Sequence, residues 1–177
     1  MATRVDREGF QSLFANWTSS AWRLETQFVY HEPDEVEPLR RFLEGALDLD
    51  WLAEWLDRIR GWRAQGRTFE RVRVLTEPLT DYLRFEMAIT PPAVEAGEDI
   101  RLLSATAAKS LALGTRDFWL FDDKILVLMD FDANGVCGAE VITEPDEVVH
   151  YRAIRDRAWA HAVPAEEYRA TQVQRGP

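Results

Sequence analysis

The chain of 177 residues has a single cysteine, Cys137, so it can form no intrachain disulfide and no cysteine-built metal site. A lone cysteine of this kind reads as a small buried apolar residue. Glycine is scarce and scattered: nine residues, never at the spacing of a phosphate-cradling loop. No apolar run approaches the ~18 residues of a membrane span. The N-terminal residues carry acid early and lack an apolar core, so they do not read as a signal peptide. The expectation is a cytoplasmic protein with no membrane partner. Positive charge is also short: 21 Lys and Arg stand against 31 Asp and Glu, for a net charge of −10. That disfavours direct binding to nucleic-acid backbones, which need a basic patch. It fits solubility, a basic protein partner or a cationic ligand.

Catalytic patterns are missing as well. There is no nucleophile elbow, no His-Glu-x-x-His pair and no zinc spacing. Ser104 and Ser110 lack the flanking glycines a strained nucleophile turn requires. His150 and His161 lie eleven residues apart on one helix, about 16 Å of rise, too far to share a metal. His31 sits in a run with Glu32, Asp34, Glu35 and Glu37 that reads as a solvated surface. No catalytic residue, metal or cofactor is therefore assigned from the sequence.

What the chain does have is hydrophobic content of 46% and seven Trp, ample for one core. Phe10, Leu13, Phe14 and Trp17 stand at helical spacing. Residues 22–30 alternate, with Trp22, Leu24, Phe28 and Tyr30 on one side and Arg23, Glu25 and Gln27 on the other, as in a half-buried strand. Pro33-Asp34-Glu35 opens a helix with apolar Val36, Leu39, Phe42, Leu43 and Leu47. Trp51, Leu52, Trp55, Ile59 and Trp62 stripe the next helix, which Gly66 ends. This stripe reads as core packing.

From there the pattern turns to strands. Residues 69–75 place Val72 and Val74 on one face, and Arg71 and Arg73 on a solvent face. Thr76 and Pro78 suit a helix start, and Pro91-Pro92 suits a break. Residues 100–103, 118–121, 124–131 and 136–142 read as strands, the last two joined by a hairpin turn at Asn134-Gly135. A final helix runs from Pro145 toward Pro164. The expected fold is α/β or α+β: a mixed central sheet of four to five strands flanked by helices. As one domain over 1–177, it has a helix-rich cap with one strand over 1–66, a mixed sheet with helices over 67–166, and a frayed tail over 167–177.

One constellation could bind a ligand. Arg71, Arg73, Tyr82, Glu86, Arg101, Asp117, Trp119 and Asp122 gather on or beside the predicted strands, with Arg84 and Glu98 nearby. Arginines beside carboxylates at a sheet could hold a small anionic ligand. Ordinary ion pairs over a sheet face are the alternative.

Arg71-Val72-Arg73-Val74, Glu77-Pro78-Leu79-Thr80-Asp81-Tyr82, Ala96-Gly97-Glu98-Asp99-Ile100-Arg101 and Asp117-Phe118-Trp119-Leu120-Phe121-Asp122 resemble an actinobacterial domain-of-unknown-function family, number 6879. Ala21-Trp22-Arg23-Leu24-Glu25-Thr26 fits its N-terminal pattern. The resemblance covers nearly the whole chain and implies no assigned activity. It implies a standalone bacterial protein, often encoded beside a helix-turn-helix regulator, and hence a non-catalytic regulatory or protein-interaction module. The alternative is a small-molecule sensor or enzyme with an Arg/Tyr/Glu pocket. A weaker resemblance is to the phospholipase D-like sheet. Catalysis there needs His-x-Lys with an Asp five residues after the Lys. Counted back from Asp123 those positions hold Arg116 and Phe118; from Asp122 they hold Thr115 and Asp117. Neither frame supplies the nucleophile.

Overall fold

A computed structural model describes residues 2–175, with side chains through residue 170. Its strands are β1 (Ala2–Asp6), β2 (Ser20–Glu25), β3 (Thr68–Leu75), β4 (Asp99–Ser104), β5 (Phe118–Phe121), β6 (Ile125–Asp132), β7 (Gly135–Ile142) and β8 (Val163–Pro164). They form one sheet in the order β1-β7-β6-β5-β2-β3-β4-β8. Strands β2, β3 and β4 run parallel, and every other pairing is antiparallel. The class is mixed α/β as expected, but with eight strands rather than four or five. Two of the additional strands, β1 and β8, are at the edges, where few side chains are buried. β1 has no buried residue and β8 is two residues long, so neither carries an apolar alternation to read. β1 docks so closely on β7 that a Cβ at Gly138 would lie 2.5 Å from the Val5 carbonyl oxygen, and only glycine fits there.

The helices are α1 (Arg7–Ser12), α2 (Val36–Leu43), α3 (Ala53–Ala64), α4 (Asp81–Ala96), α5 (Ala105–Ser110), α6 (Pro145–His161) and α7 (Ala165–Arg175). The residues before 66 thus supply β1 at one edge and β2 at the centre of the sheet. Parallel strands need crossovers; α2 and α3 link β2 to β3, and α4 links β3 to β4. Phe10, Phe14, Leu56, Ile59, Trp62, Leu83 and Phe85 pack on one face, with Phe69, Trp119 and Phe121 of the sheet. Val148, Ile154 and Ala158 of α6 pack on the other, against Trp22, Leu24, Val72, Val74 and Phe118. Both faces are therefore covered. Arg71 and Arg73, expected at solvent, are only 9% and 4% exposed.

Four further expectations are corrected. α4 begins at Asp81 with Thr80 as its cap, the hydroxyl accepting from the Leu83 N–H at 3.1 Å, not at Thr76. It also runs through Pro91 and Pro92. Each interior proline costs about 3 kcal/mol. Buried Leu83, Phe85, Ile89, Ala93 and Ala96 line the same helix, and each large apolar side chain among them returns about 1.5–3 kcal/mol. Residues 165–175 are helical where fraying was expected from 167; residues 176 and 177 lie outside the described residues. Cys137 is exposed rather than buried, beside the β6–β7 hairpin tip. Among the described residues no helix is long and apolar enough to cross a membrane.

Candidate functional site

A cavity of about 810 Å³ opens between the sheet face of Arg71 and Arg73 and the layer of α1, α3 and α4. Strand parity builds its floor. Arg23 and Glu25 on β2, Arg71 and Arg73 on β3, Ile100 on β4 and Trp119 on β5 all line it. In the parallel register Arg23 lies opposite Arg71 and Glu25 opposite Arg73.

Glu25 is the hub of this floor. Its Oε1 meets Arg23 at 3.1 Å and Arg71 at 2.5 Å, and its Oε2 meets Arg73 at 2.6 Å. Arg71 also reaches Glu98 at 2.7 Å, and Arg73 reaches Glu86 at 2.5 Å. Burial alone would raise the Glu25 carboxyl, but the charges of Arg71, Arg73 and Arg23 outweigh it and hold the group well below the usual range. For Glu98 the balance reverses, and burial outweighs Arg71 to push its carboxyl up. Buried charges of this density persist only when paired, as these are.

Asp117, only 1% exposed, ties the floor to the loop after β2. It accepts from the Thr26 N–H at 2.8 Å, the Thr26 hydroxyl at 2.7 Å and the Tyr30 hydroxyl at 2.5 Å, and Arg23 lies at 3.4 Å. The Arg23 guanidinium sits over the rings of Tyr30 and Trp119, 5.5 Å from each centroid. Among the described residues the buried Arg23 Nε and Trp119 Nε1 have no acceptor, as is also true of Trp17 Nε1 and Trp22 Nε1.

At the other end, the Tyr82 hydroxyl lies 2.8 Å from Glu86 Oε1 and 2.6 Å from Glu35 Oε2. A phenol has one proton and can donate to only one of them. Burial and the Glu86 charge push the Glu35 carboxyl up to about 8. The Tyr82 hydroxyl therefore donates to one of the two carboxyls, and the raised Glu35 carboxyl favours its protonated form. Burial, with Glu86 and Glu35 beside it, also pushes the Tyr82 phenol well above its ordinary range, so it keeps its proton.

Of the eight residues singled out from the sequence, Arg71, Arg73, Tyr82, Glu86 and Trp119 line one cavity, and Asp117 braces it. Arg101 and Asp122 do not join them. Arg101 has the opposite strand parity and lies 3.8 Å from the centroid of the Trp159 ring. Asp122 follows β5 and accepts from the backbone N–H groups of Thr18, Ser19 and Ser20 at 2.7–3.1 Å. Burial would raise its carboxyl, and those N–H donors outweigh it and hold it low. Sequence reasoning missed Arg23, Glu25, Tyr30 and Glu35 as site residues. Arg23 and Glu25 share the parity of Arg71 and Arg73, and that was the available signal. Glu35 had none, because it lay in a run read as surface; Glu32 of that run also turns inward, to Arg7 at 3.0 Å. Trp51 and Trp55 of the stripe face the cavity as well as the core.

Among the described residues no group of three or more His, Cys, Asp or Glu could hold a metal ion. The model of the family described as domain of unknown function DUF6879 matches residues 8–170. No curated protein matches the chain. Among solved structures, NucT from Helicobacter pylori is similar at a TM-score of 0.55 and 11% identity, over 93% of this chain and 98% of that one. At that identity the likeness is one of fold alone.

Proposed function

The chain belongs to the DUF6879 family of domains of unknown function, and we propose that it is a small-molecule-binding domain whose ligand occupies the cavity over the Arg23, Arg71 and Arg73 floor. The carrying observation is a cavity of about 810 Å³ floored by Arg23, Arg71 and Arg73 and walled by Tyr82, Trp55 and Trp119. Its size falls in the ~300–1,000 Å³ range of ligand pockets. The arginines are fixed by carboxylates before any ligand enters, so little ordering remains to oppose binding. The lining contains no histidine, cysteine, serine or lysine, which favours recognition over covalent chemistry. The phospholipase D-like frames support the same reading. Asp117, Phe118 and Asp122, which stand at three of those positions, brace the floor, fill the core and hold the 18–20 backbone. A crystal structure of the purified protein tests the proposal. Density for a small organic molecule in the cavity is the expected result. A cavity filled only with ordered water, together with no melting-temperature rise from a library of amines, carboxylic acids and nucleosides, would refute it.

A second reading rests on a different observation. Phe28, Val29, Val36, Leu43 and Leu47 are 38–63% exposed along one segment of chain. A regulatory module would offer this apolar surface to a basic protein, such as a helix-turn-helix regulator, with the −10 charge assisting encounter. Co-purification at low salt, lost in a Val36→Asp/Leu43→Asp double variant, is the expected outcome. A monomer that ignores such a partner removes this reading.

A further inference from the structure

The charges that line the cavity are either paired or stand at its mouth. On the floor, Glu25 holds Arg23, Arg71 and Arg73, while Glu98 holds Arg71, Glu86 holds Arg73 and Asp117 holds Arg23. Arg7 is paired with Glu32 at 3.0 Å. Glu35 is held by the Tyr82 hydroxyl at 2.6 Å, away from the arginines. The remaining lining charges are Asp34, Glu54 and Arg58, which are in no ion pair among the described residues. All three are exposed and they carry both signs, so water and salt screen them. An ion of either sign that reaches the floor therefore meets no free counter-charge, and is held only by breaking a buried pair.

One polar group on that floor is still open. Arg71 spends Nε on Glu98 at 2.7 Å and Nη1 on Glu25 at 2.5 Å. Its Nη2 has no partner among the described residues, and it is not sealed from solvent as Arg23 Nε and Trp119 Nε1 are. The Arg71 side chain is 11% exposed, and it sits on an inner strand whose two faces are covered, so that exposure is to the cavity. The wall opposite is flat and apolar. Trp51 and Trp55 are half-buried and line the cavity. Trp51 stacks one face on Phe85, with 16° between the planes, and gives its Nε1–H to the Asp48 carbonyl at 3.1 Å. What its indole still offers is ring surface. Trp55 stands 5.7 Å from Phe69, which precedes Arg71 by two residues, about 7 Å along β3.

We infer that the ligand is an uncharged planar ring bearing a carbonyl oxygen, with the oxygen accepting from Arg71 Nη2 and the ring lying on the Trp51 and Trp55 wall. The inference rests on the cavity being a small-molecule site, and it names the class of molecule. Arg71 is already shared by two carboxylates, so a neutral acceptor fills its open N–H without adding a third negative charge. A charge-assisted hydrogen bond of this kind is stronger than one between neutral groups.

Three probes of nearly equal shape and different charge test this by isothermal titration calorimetry of the full chain: 2-naphthamide, which is neutral, 2-naphthoate, an anion, and 2-naphthamidine, a cation. 2-Naphthamide is expected to bind about tenfold more tightly than either ion, the worth of one hydrogen bond from a charged donor. Its affinity should not change between low and high salt. Cyclohexanecarboxamide, which keeps the amide and loses the flat ring, should bind about threefold more weakly than benzamide. A crystal of the 2-naphthamide complex should place the carbonyl oxygen within hydrogen-bond distance of Arg71 Nη2. Tighter binding of 2-naphthoate or 2-naphthamidine overturns the inference and leaves the cavity reading standing. A carbonyl turned away from Arg71, or a ring bound away from Trp51 and Trp55, also overturns it. If none of the probes binds, the inference fails, and the ligand density sought in the protein as purified decides the cavity reading separately.

Discussion

Glu25 stands directly across the parallel β2–β3 pair from Arg73, and its two oxygens divide between Arg73 at 2.6 Å and Arg71 at 2.5 Å. One carboxylate therefore sets the position of two neighbouring guanidiniums on the cavity floor. Glu25→Gln keeps the shape and removes the charge. It is expected to destabilise the protein by about 3–5 kcal/mol, the usual cost of breaking a buried pair, read from the urea midpoint. Glu37→Gln, which touches only the exposed Arg40 pair, should leave the midpoint in place. The sign with pH follows from the depressed carboxyl. Its stabilisation is fully present above the usual 4.5 and lost as the pH falls toward the lower native value. The wild type should thus lose stability on acidification more steeply than Glu25→Gln.

Glu35 should act in the opposite sense. Its native carboxyl is raised from 4.5 to about 8, so between those values the folded state holds a proton that the unfolded chain has lost. The contribution is present below pH 4.5 and declines as the pH rises through 8. Thermal melts from pH 5 to 9 should show a falling melting temperature in the wild type. Glu35→Gln, whose amide can still donate to Tyr82, should flatten that fall and melt higher than the wild type at pH 9.

The same chemistry makes Tyr82 a test of the relay. Tyr82→Phe removes the hydroxyl between Glu35 and Glu86 while keeping the ring against Phe85 and Tyr30. Two carboxyl groups lose their shared partner, at a cost of about 1–3 kcal/mol. Chemical denaturation at pH 7 measures it.

How much of this was legible depends on what each residue reports locally. The alternation of Arg71, Val72, Arg73 and Val74 gave the strand and its two faces correctly, because a period of two is a property of the strand alone. Which face met water was not readable, because α3, α4 and α6 cover both sides, and polarity then no longer marks solvent. Five of the eight candidate residues share the cavity because they share that covered face. Arg101 is separated from them by a single step of parity on β4. Glu35 meets Tyr82 from 47 residues away, and no local pattern encodes that contact. Pro91 and Pro92 follow the same rule: their local preference for a break yields to the buried side of α4.

Asp122 stands outside the cavity and holds the backbone of residues 18–20. With Asp123 it forms the β5–β6 turn, both at positive φ, 54° and 56°, which Asp and Asn tolerate better than most residues. Asp122→Asn keeps that tolerance but loses the charge that gathers the Thr18, Ser19 and Ser20 N–H groups. A loss of about 1–3 kcal/mol is expected, with faster hydrogen exchange at residues 18–20. Asp122→Ala adds backbone strain and should cost more.

Arg101 separates the two faces of the sheet. Its guanidinium lies 3.8 Å from the Trp159 ring centroid on α6, 27% exposed, with only a weak Asp99 contact at 3.3 Å beside it. Stacking on Trp159 therefore carries most of its interaction. Arg101→Ala should cost about 0.5–2 kcal/mol and change the emission of Trp159. The cavity lies across the sheet, so the affinity of a ligand bound in the cavity should be unchanged. A loss of affinity in this variant would mean that Arg101 acts in recognition despite its parity, and the ligand would then have to reach around the edge of β4 near Pro164, where β8 pairs with Arg101.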